Sequence, residues 1–250
     1  MSAHFHSSHL VRTLSEWSLV DAHAPGAAFA EKLGQWIDIA GAIALRTTHT
    51  AGTDAAAAVS AAQPSHAALA AHVAKVRAAV EATLGAAMTP GQSKGRNSLP
   101  LPKADLPVEL AAAFEPYRRF YLAQQREMDL KTVPLRAKVR EALATATPPL
   151  RQLAAMDAAL GQILAERESR LLATVPNQLE KRFKQLRSAH LHTLEQTQQD
   201  DQIAHWMKPG AWLARFCQEL HSVLLAELDV RLQPTLGLLE ALQHDNQSLA

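Results

Sequence analysis

Apolar residues recur three and four positions apart along most of the chain, and no segment alternates apolar and polar residues over the length of a strand. A spacing of three and four places apolar side chains on one stripe of an α-helix, whereas strict alternation would indicate a half-buried strand. Because helices with a single apolar stripe must pair, the pattern predicts an all-α protein without β-sheet. We expect an elongated bundle of antiparallel helical hairpins.

The first 88 residues contain three such stripes. They consist of Leu10, Leu14, Trp17 and Val20, then Phe29, Leu33, Trp36, Ala40 and Ile43, and then Leu69, Val73, Val76, Val80 and Leu84. We expect the second helix to end near Thr47 and Thr48. The Ala-rich segment Ala51–Pro64 that follows is ambiguous between a linker and a frayed helix.

The segment Thr89–Lys103 interrupts the helical pattern most clearly. It has no periodicity and contains Pro90, Gly91, Gly95, Pro100 and Pro102. Such a segment is typical of an exposed loop outside the core. The chain is therefore expected to divide into a helical half at 1–88, a loop at 89–104 and a second helical half at 105–250, which could also form one continuous domain.

Prolines and possible caps indicate the helix boundaries of the second half. Asp105 is expected to cap a helix, although Pro116 would then require a later start or a kink. Pro134 is expected to interrupt the next stripe. Thr147–Pro148 is a favourable helix start, and Val175–Pro176 indicates a kink or a tight junction.

Two stripes of the second half are expected to face the same core. They are Leu153, Met156, Leu160 and Ile163 on one helix, and Phe183 and Leu186 on the next. The charged residues around them, among them Lys181 and Lys184, are expected to be solvated.

Composition restricts the class of protein. The chain has 25 Lys and Arg against 24 Asp and Glu, so its net charge does not favour nucleic acid or anionic lipid. The most apolar stretch, Trp36–Leu45, is too short to span a membrane, and the first 20 residues lack the pattern of a secretory signal. Cys217 is the only cysteine, so no intrachain disulfide is expected, and we expect a cytoplasmic protein.

Two helix faces are candidate binding surfaces. Tyr117 and Tyr121 lie one turn apart, and with Arg118 and Arg126 they could hold a small anion or ligand; packing of the tyrosines in the core is the alternative. A basic cluster of Lys181, Arg182, Lys184 and Arg187 could contact phosphate or an acidic partner, or could be an ordinary solvated face.

Metal and nucleophile chemistry have weaker support. If Met1 is removed, the amine, two amides and the imidazole of His4 would suit square-planar Cu(II) or Ni(II). The remaining histidines have no zinc spacing, and Cys217 lies on an apolar helix where thiols are usually inert. We therefore expect no cofactor and no enzymatic activity.

Several landmarks in order resemble a known family. They are Phe29–Asp38 with Ala42–Leu45, Tyr117–Tyr121 with Gln125, Arg126 and Met128, and Leu153–Leu160 with Arg167, Glu168, Val175–Pro176 and Lys181–Phe183. Together they resemble a family of uncharacterised proteobacterial proteins, the domain of unknown function 3348 family. The resemblance implies a bacterial cytoplasmic protein and assigns no catalytic residue.

Long helices with single stripes leave apolar seams at the ends of a short stack, and another helix is suited to fill them. The sequence therefore predicts a non-enzymatic interaction or scaffold protein, with coiled-coil-like packing onto a protein partner or a second copy. A small-anion or small-ligand binding protein using the Tyr/Arg face is the alternative. Weak nucleic-acid binding through the basic cluster is the third possibility.

Overall fold

A computed structural model describes residues 8–17, 36–37, 39–54, 65–89 and 97–248. The helices in these ranges are α1 His9–Glu16, α2 Ile39–Asp54, α3 His66–Met88, α4 Val108–Ala111, α5 Glu115–Ala144, α6 Pro148–Leu172, α7 Val175–Thr197 and α8 Trp212–Ser248, with a 3₁₀ turn at Ile203–His205. No strand occurs in these ranges, and the all-α prediction is confirmed. The elongated arrangement of antiparallel hairpins stays a prediction.

Helices α1 and α3 form where the apolar spacing predicted them. The hydroxyl of Ser8 accepts a hydrogen bond from the backbone N–H of Val11, and that of Ser65 accepts from Ala68. These serine caps satisfy N–H groups that have no partner within the helix. The predicted residues Phe29 and Leu33 lie outside the described residues.

Helix α2 is longer than expected. It continues through Thr47 and Thr48 to Asp54, and both hydroxyls bond to backbone carbonyls one turn earlier. Threonines that bond in this way can stay inside a helix. Part of the ambiguous segment Ala51–Pro64 is therefore helical, and the rest lies outside the described residues.

The prolines and the possible caps of the second half agree with some of the predicted helix boundaries and contradict others. Helix α5 begins only at Glu115, so Pro116 lies in its first turn, where its missing N–H has no consequence. Asp105 is exposed and caps no helix, because the short helix α4 begins after Pro107. The expected interruption at Pro134 is wrong, since α5 continues through it. The Thr147–Pro148 start is confirmed.

Helix α8 lies at the centre of the protein. Helices α1, α3, α5, α6 and α7 all pack against it. It begins after the turn Lys208–Gly210, in which Gly210 adopts a left-handed conformation with φ of 81° that favours glycine. Its side chains at Leu213, Leu220 and Leu224 are fully buried. The core is therefore built around one long helix.

One end of this core is aromatic. The ring of Phe183 on α7 lies 5.0 Å from the ring of Phe216 and 5.1 Å from that of Trp212, both measured between centroids. Phe114 and Tyr117 complete the cluster at 5.6 Å each from Phe183. Phe183 meets Phe216 and Trp212 edge to face, a geometry that is favourable beyond the burial of the ring area, whereas its pairs with Phe114 and Tyr117 are tilted.

The stripe predicted for α6 faces in another direction than expected. Met156, Leu160 and Ile163 are only half-buried and lie outside the main core, whereas Leu150 and Ala154 are buried in it. Helix α2 packs against α6, where the Gln152 side chain donates to the His49 carbonyl over 3.0 Å. The prediction that this stripe shares a core with Phe183 is therefore wrong for Met156, Leu160 and Ile163, because α6 packs on two sides. Leu153 does pack against that core, as predicted.

The loop predicted at Thr89–Lys103 is not wholly outside the core. Leu99 is buried, and its N–H donates to the carbonyl of Ala87 over 2.8 Å. Leu99 thus belongs to the core, although the segment was predicted to lie outside it. Apolar residues from both predicted halves belong to one continuous core, and the division into two halves stays a prediction.

The structure also bears on membrane insertion. Within the ranges described, every helix is too short or too polar to cross a bilayer.

Replacing Phe183 with Ala should destabilise the protein by about 3–5 kcal/mol, because a ring buried among four aromatic side chains leaves a cavity. Urea unfolding would measure the change. The exposed neighbours Lys181→Ala and Lys184→Ala are matched controls and should change stability by less than about 0.5 kcal/mol each. A harmless Phe183→Ala substitution would contradict the placement of this helix.

Candidate functional site

The predicted Tyr/Arg face is not assembled in the structure. Tyr117 and Tyr121 are buried, while Arg126 is exposed on another side of α5. Arg118 donates to the side-chain oxygen of Asn177 over 3.2 Å and lies 3.9 Å from Glu180. The tyrosines and arginines therefore do not share a surface, and packing in the core, the alternative considered from the sequence, is what the structure contains.

Tyr121 belongs instead to a buried polar network that the sequence did not predict. Its hydroxyl donates to the carboxylate of Glu227 on α8, and both residues have no exposed surface. Gln125 donates to the two oxygens of this carboxylate over 2.9 and 3.0 Å. Arg231 donates to it over 2.6 and 3.0 Å and also pairs with Asp129. Every partner of the buried carboxylate is thus a donor.

The environment of Tyr121 keeps its hydroxyl protonated, so that it can donate a hydrogen bond. Burial raises the pKa of its hydroxyl well above the ordinary value, and the nearby charge of Glu227 raises it further. A protonated tyrosine can donate to a carboxylate, whereas a tyrosinate would repel it. The network is therefore an internal connection between α5 and α8, and it offers no site for an external anion at the tyrosines.

A cleft of about 350 Å³ opens above this network, between α5 and α6. Arg231 and Gln125 reach its floor, and Arg126 and Arg136 line its walls. Arg136 is held by the carboxylate of Asp157 over 2.6 and 3.0 Å. Two of the three guanidinium groups are thus neutralised by carboxylates of the protein, which weakens the cleft as an anion site.

A second cleft, of about 490 Å³, lies between α3 and α5. Its floor is apolar and includes Val80, Leu84 and Met128, and its rim carries Lys75, Lys131 and Glu127. Opposite charges on the rim leave it without a strong preference for a cation or an anion.

The basic cluster of α7 separates into two kinds of residue. Lys181 is exposed, and Lys184 is 70% exposed with its amine 2.6 Å from Glu180. Arg182 is largely buried in a bidentate pair with Glu219 of α8 at 2.7 and 2.8 Å. The prediction of a solvated face therefore holds for the two lysines but not for Arg182.

The fourth basic residue, Arg187, belongs to a polar centre around Asp201. Its guanidinium pairs with Asp201 and lies 4.8 Å from the centroid of the Trp206 ring. The indole N–H of Trp206 donates to Asp201 over 2.7 Å, and the ring of His190 approaches within 3.1 Å. Burial by itself raises the pKa of Asp201, but these hydrogen bonds outweigh it and hold the pKa below its ordinary value.

The remaining candidates for chemistry are placed as follows. His4 lies outside the described residues. Groups of three or more His, Cys, Asp or Glu side chains able to hold a metal are not found in the ranges that the structure describes. Cys217 is buried on α8, and burial raises the pKa of its thiol to about 12. A thiol with so high a pKa is a poor nucleophile at neutral pH.

The outward face of α5 carries an exposed stripe that was not predicted from the sequence. It consists of Arg126, Leu130, Val133, Ala137 and Glu141, and is called the α5 stripe below. These residues follow one another at intervals of four and three, so they lie on one face of the helix. Leu130 and Val133 are 66% and 62% exposed. They lie opposite the core residues Tyr121 and Met128, and this difference in phase was a signal available in the sequence.

Replacing Arg231 with Met should destabilise the protein by about 3–5 kcal/mol, because Glu227 would keep a buried charge without its cationic partner. The double variant Arg231→Met/Glu227→Gln should recover part of this loss, since the uncharged amide has no such penalty. A double-mutant cycle by urea unfolding would measure the coupling. Additive single effects would contradict a functioning ion pair.

Asp201→Asn should destabilise the protein near neutral pH and should have a smaller effect as the pH falls below about 4. A carboxylate with a lowered pKa stabilises the fold above its unfolded pKa, and this contribution is lost as the pH falls through the folded pKa. Thermal unfolding between pH 7 and pH 2 would measure the difference. The exposed neighbour Asp200→Asn is the control and should show little effect. A constant Asp201→Asn effect would contradict the assignment.

Comparison with known proteins identifies the family. The family described as Protein of unknown function (DUF3348) matches residues 1–244. No curated protein and no solved structure matches the chain. The match covers nearly all of the residues that form the helices and the buried network. The chain therefore belongs to the DUF3348 family, as the resemblance in its sequence predicted.

Proposed function

We propose that the protein is a non-enzymatic interaction or scaffold component that docks a helix on the α5 stripe. The observation that carries this proposal is the exposure of Leu130 and Val133, two large apolar side chains one turn apart on the outward face of α5. Scattered apolar residues are normal on protein surfaces, but two on one helical stripe form a continuous seam.

The polar residues of the stripe favour a helical partner. In the part of the chain that is described, Arg126 and Glu141 are exposed and have no ion pair of their own. They flank the apolar centre of Leu130, Val133 and Ala137. A partner helix that carries an apolar centre and charges of the opposite order would bury the leucine and valine and pair both charges.

The spacing of the stripe also supports coiled-coil-like packing. Intervals of four and three between Arg126, Leu130, Val133 and Ala137 follow the heptad rule for helices that pack side by side. A small residue at Ala137 allows a neighbouring helix to approach closely. A cytoplasmic location is part of the proposal and is supported by Cys217, a single buried cysteine that needs no oxidising compartment.

The internal polar groups support a non-enzymatic role. Tyr121 of α5 and Arg231 of α8 both donate hydrogen bonds to Glu227 of α8, so these polar groups are partners of one another inside the protein. Catalytic acids and bases, in contrast, are expected to expose their titratable atoms to a cleft, where a substrate can reach them.

The two alternative functions have weaker support. Binding of a small anion would need free cationic groups, yet Arg136 and Arg231 already pair with carboxylates. Binding of nucleic acid would rest on Lys181 and Lys184, because Arg182 and Arg187 pair with carboxylates of the protein. Two exposed lysines on a chain of nearly neutral charge form a weak electrostatic surface.

Capture experiments in the native cell would test the helix-docking function. Tagged wild-type protein, after cross-linking in the cell, should retain partners that are lost with the double variant Leu130→Lys/Val133→Lys. Both substitutions are at exposed positions and should change stability little, within about 0.5 kcal/mol each.

Ile43→Lys is the matched control, because Ile43 is as exposed as Val133 but lies on α2. It should retain the same partners as the wild type. Identical capture by the wild type and the stripe variant, or no capture by the wild type, would contradict the proposal.

A further inference from the structure

The α5 stripe has opposite charges at its two ends. For a stripe that docks a helix, this order of charges determines which helix fits. Arg126 lies at one end and Glu141 at the other, with Leu130, Val133 and Ala137 between them. The two charged residues are equally distant in sequence from a point between Val133 and Pro134. Each lies about 11 Å from that point at about 1.5 Å rise per residue.

A stripe with this order of charges is complementary to a second copy of itself that runs antiparallel to it. If two copies of α5 cross antiparallel with their centres between Val133 and Pro134 aligned, Arg126 of one copy faces Glu141 of the other, and this pair occurs twice. Leu130 then faces Ala137, so that a large side chain packs against a small one. A parallel arrangement would instead place like charges opposite each other, which is unfavourable.

We propose that the occupant of the α5 stripe is the α5 stripe of a second copy, in an antiparallel contact around a two-fold axis near Val133 and Pro134. This inference rests on the proposed helix-docking function and names its partner. A two-fold contact uses the same patch on both copies, and the α5 stripe meets this requirement because its charge order is inverted about its centre.

The size of the contact sets its strength. The helix from Arg126 to Glu141 spans about 22 Å, and one helix face on each copy covers less surface than an obligate interface requires. The dimer is therefore reversible and depends on protein concentration.

Pro134 lies on the exposed side of α5 next to the axis, where its ring adds apolar surface and where no N–H is lost from the core.

Charge reversal tests the contact directly. Sedimentation velocity of the full chain over a range of concentrations should show a monomer–dimer equilibrium for the wild type. Arg126→Glu and Glu141→Arg should each weaken the dimer by at least about tenfold, because each variant places two pairs of like charges in the contact.

An equimolar mixture of these two variants should restore dimers, since each variant then supplies the charge that the other lacks. The double variant Arg126→Glu/Glu141→Arg should dimerise by itself. Restoration by mixing also excludes misfolding as the cause of the loss, because the same two proteins are used. Lys181→Glu and Glu195→Arg, exposed residues on α7, are the charge-matched controls and should dimerise as the wild type does.

The outcomes separate this inference from the proposed function. A wild type that stays monomeric, single variants that dimerise normally, or a mixture that stays monomeric would each overturn the two-fold contact. If capture in the cell still depends on Leu130 and Val133 in that case, the helix-docking function stands and its partner is another protein. If neither dimers nor stripe-dependent capture is observed, both proposals fail.

Discussion

The burial of α8 is the constraint on which the rest of the structure depends. Leu213, Ala226 and Leu228 are almost entirely buried although they project from different sides of the helix. Such a helix is enclosed on more than one side, and five of the other helices provide that enclosure. Each of those helices needs only a single apolar stripe, because α8 supplies the opposing surface. Loss of α8 would leave these stripes without a common partner.

Ion pairs determine the position of the surrounding helices along α8. Arg77 of α3 pairs with Asp229 at 2.5 Å, and Arg182 of α7 pairs with Glu219, both acids being on α8. Glu227 receives its donors from α5 and from α8 itself. Buried or half-buried pairs of this kind contribute little net stability compared with apolar packing, but they penalise a shifted register because a displaced charge loses its partner. Apolar burial thus holds the helices together, and the charged pairs select one arrangement.

The sequence predicted what depends on local spacing and missed what depends on the neighbours of a helix. The stripes of α1 and α3 and the burial of Phe183 follow from periodicity alone. Which side of α6 faces α2 could not be predicted, because Met156 and Leu150 are both apolar and only the tertiary packing distinguishes them. The Glu227 network was likewise hidden, since an isolated glutamate in a Leu-rich helix gives no local signal of its partners. The exposure of Leu130 and Val133, in contrast, could have been predicted, because their spacing places them on the side of α5 opposite its core residues.

The position of α8 in the chain has a consequence for synthesis on the ribosome. All the helices that pack on α8 precede it in the sequence, so they emerge from the ribosome before the surface that covers them exists. At about 5–20 residues per second, the last helix follows α1 by many seconds. During this interval the apolar stripes of the earlier helices have only one another for cover. Apolar stripes that are still uncovered make a nascent chain prone to aggregation, so substitutions that slow the docking of α8 should reduce the yield of folded protein more than its stability once folded.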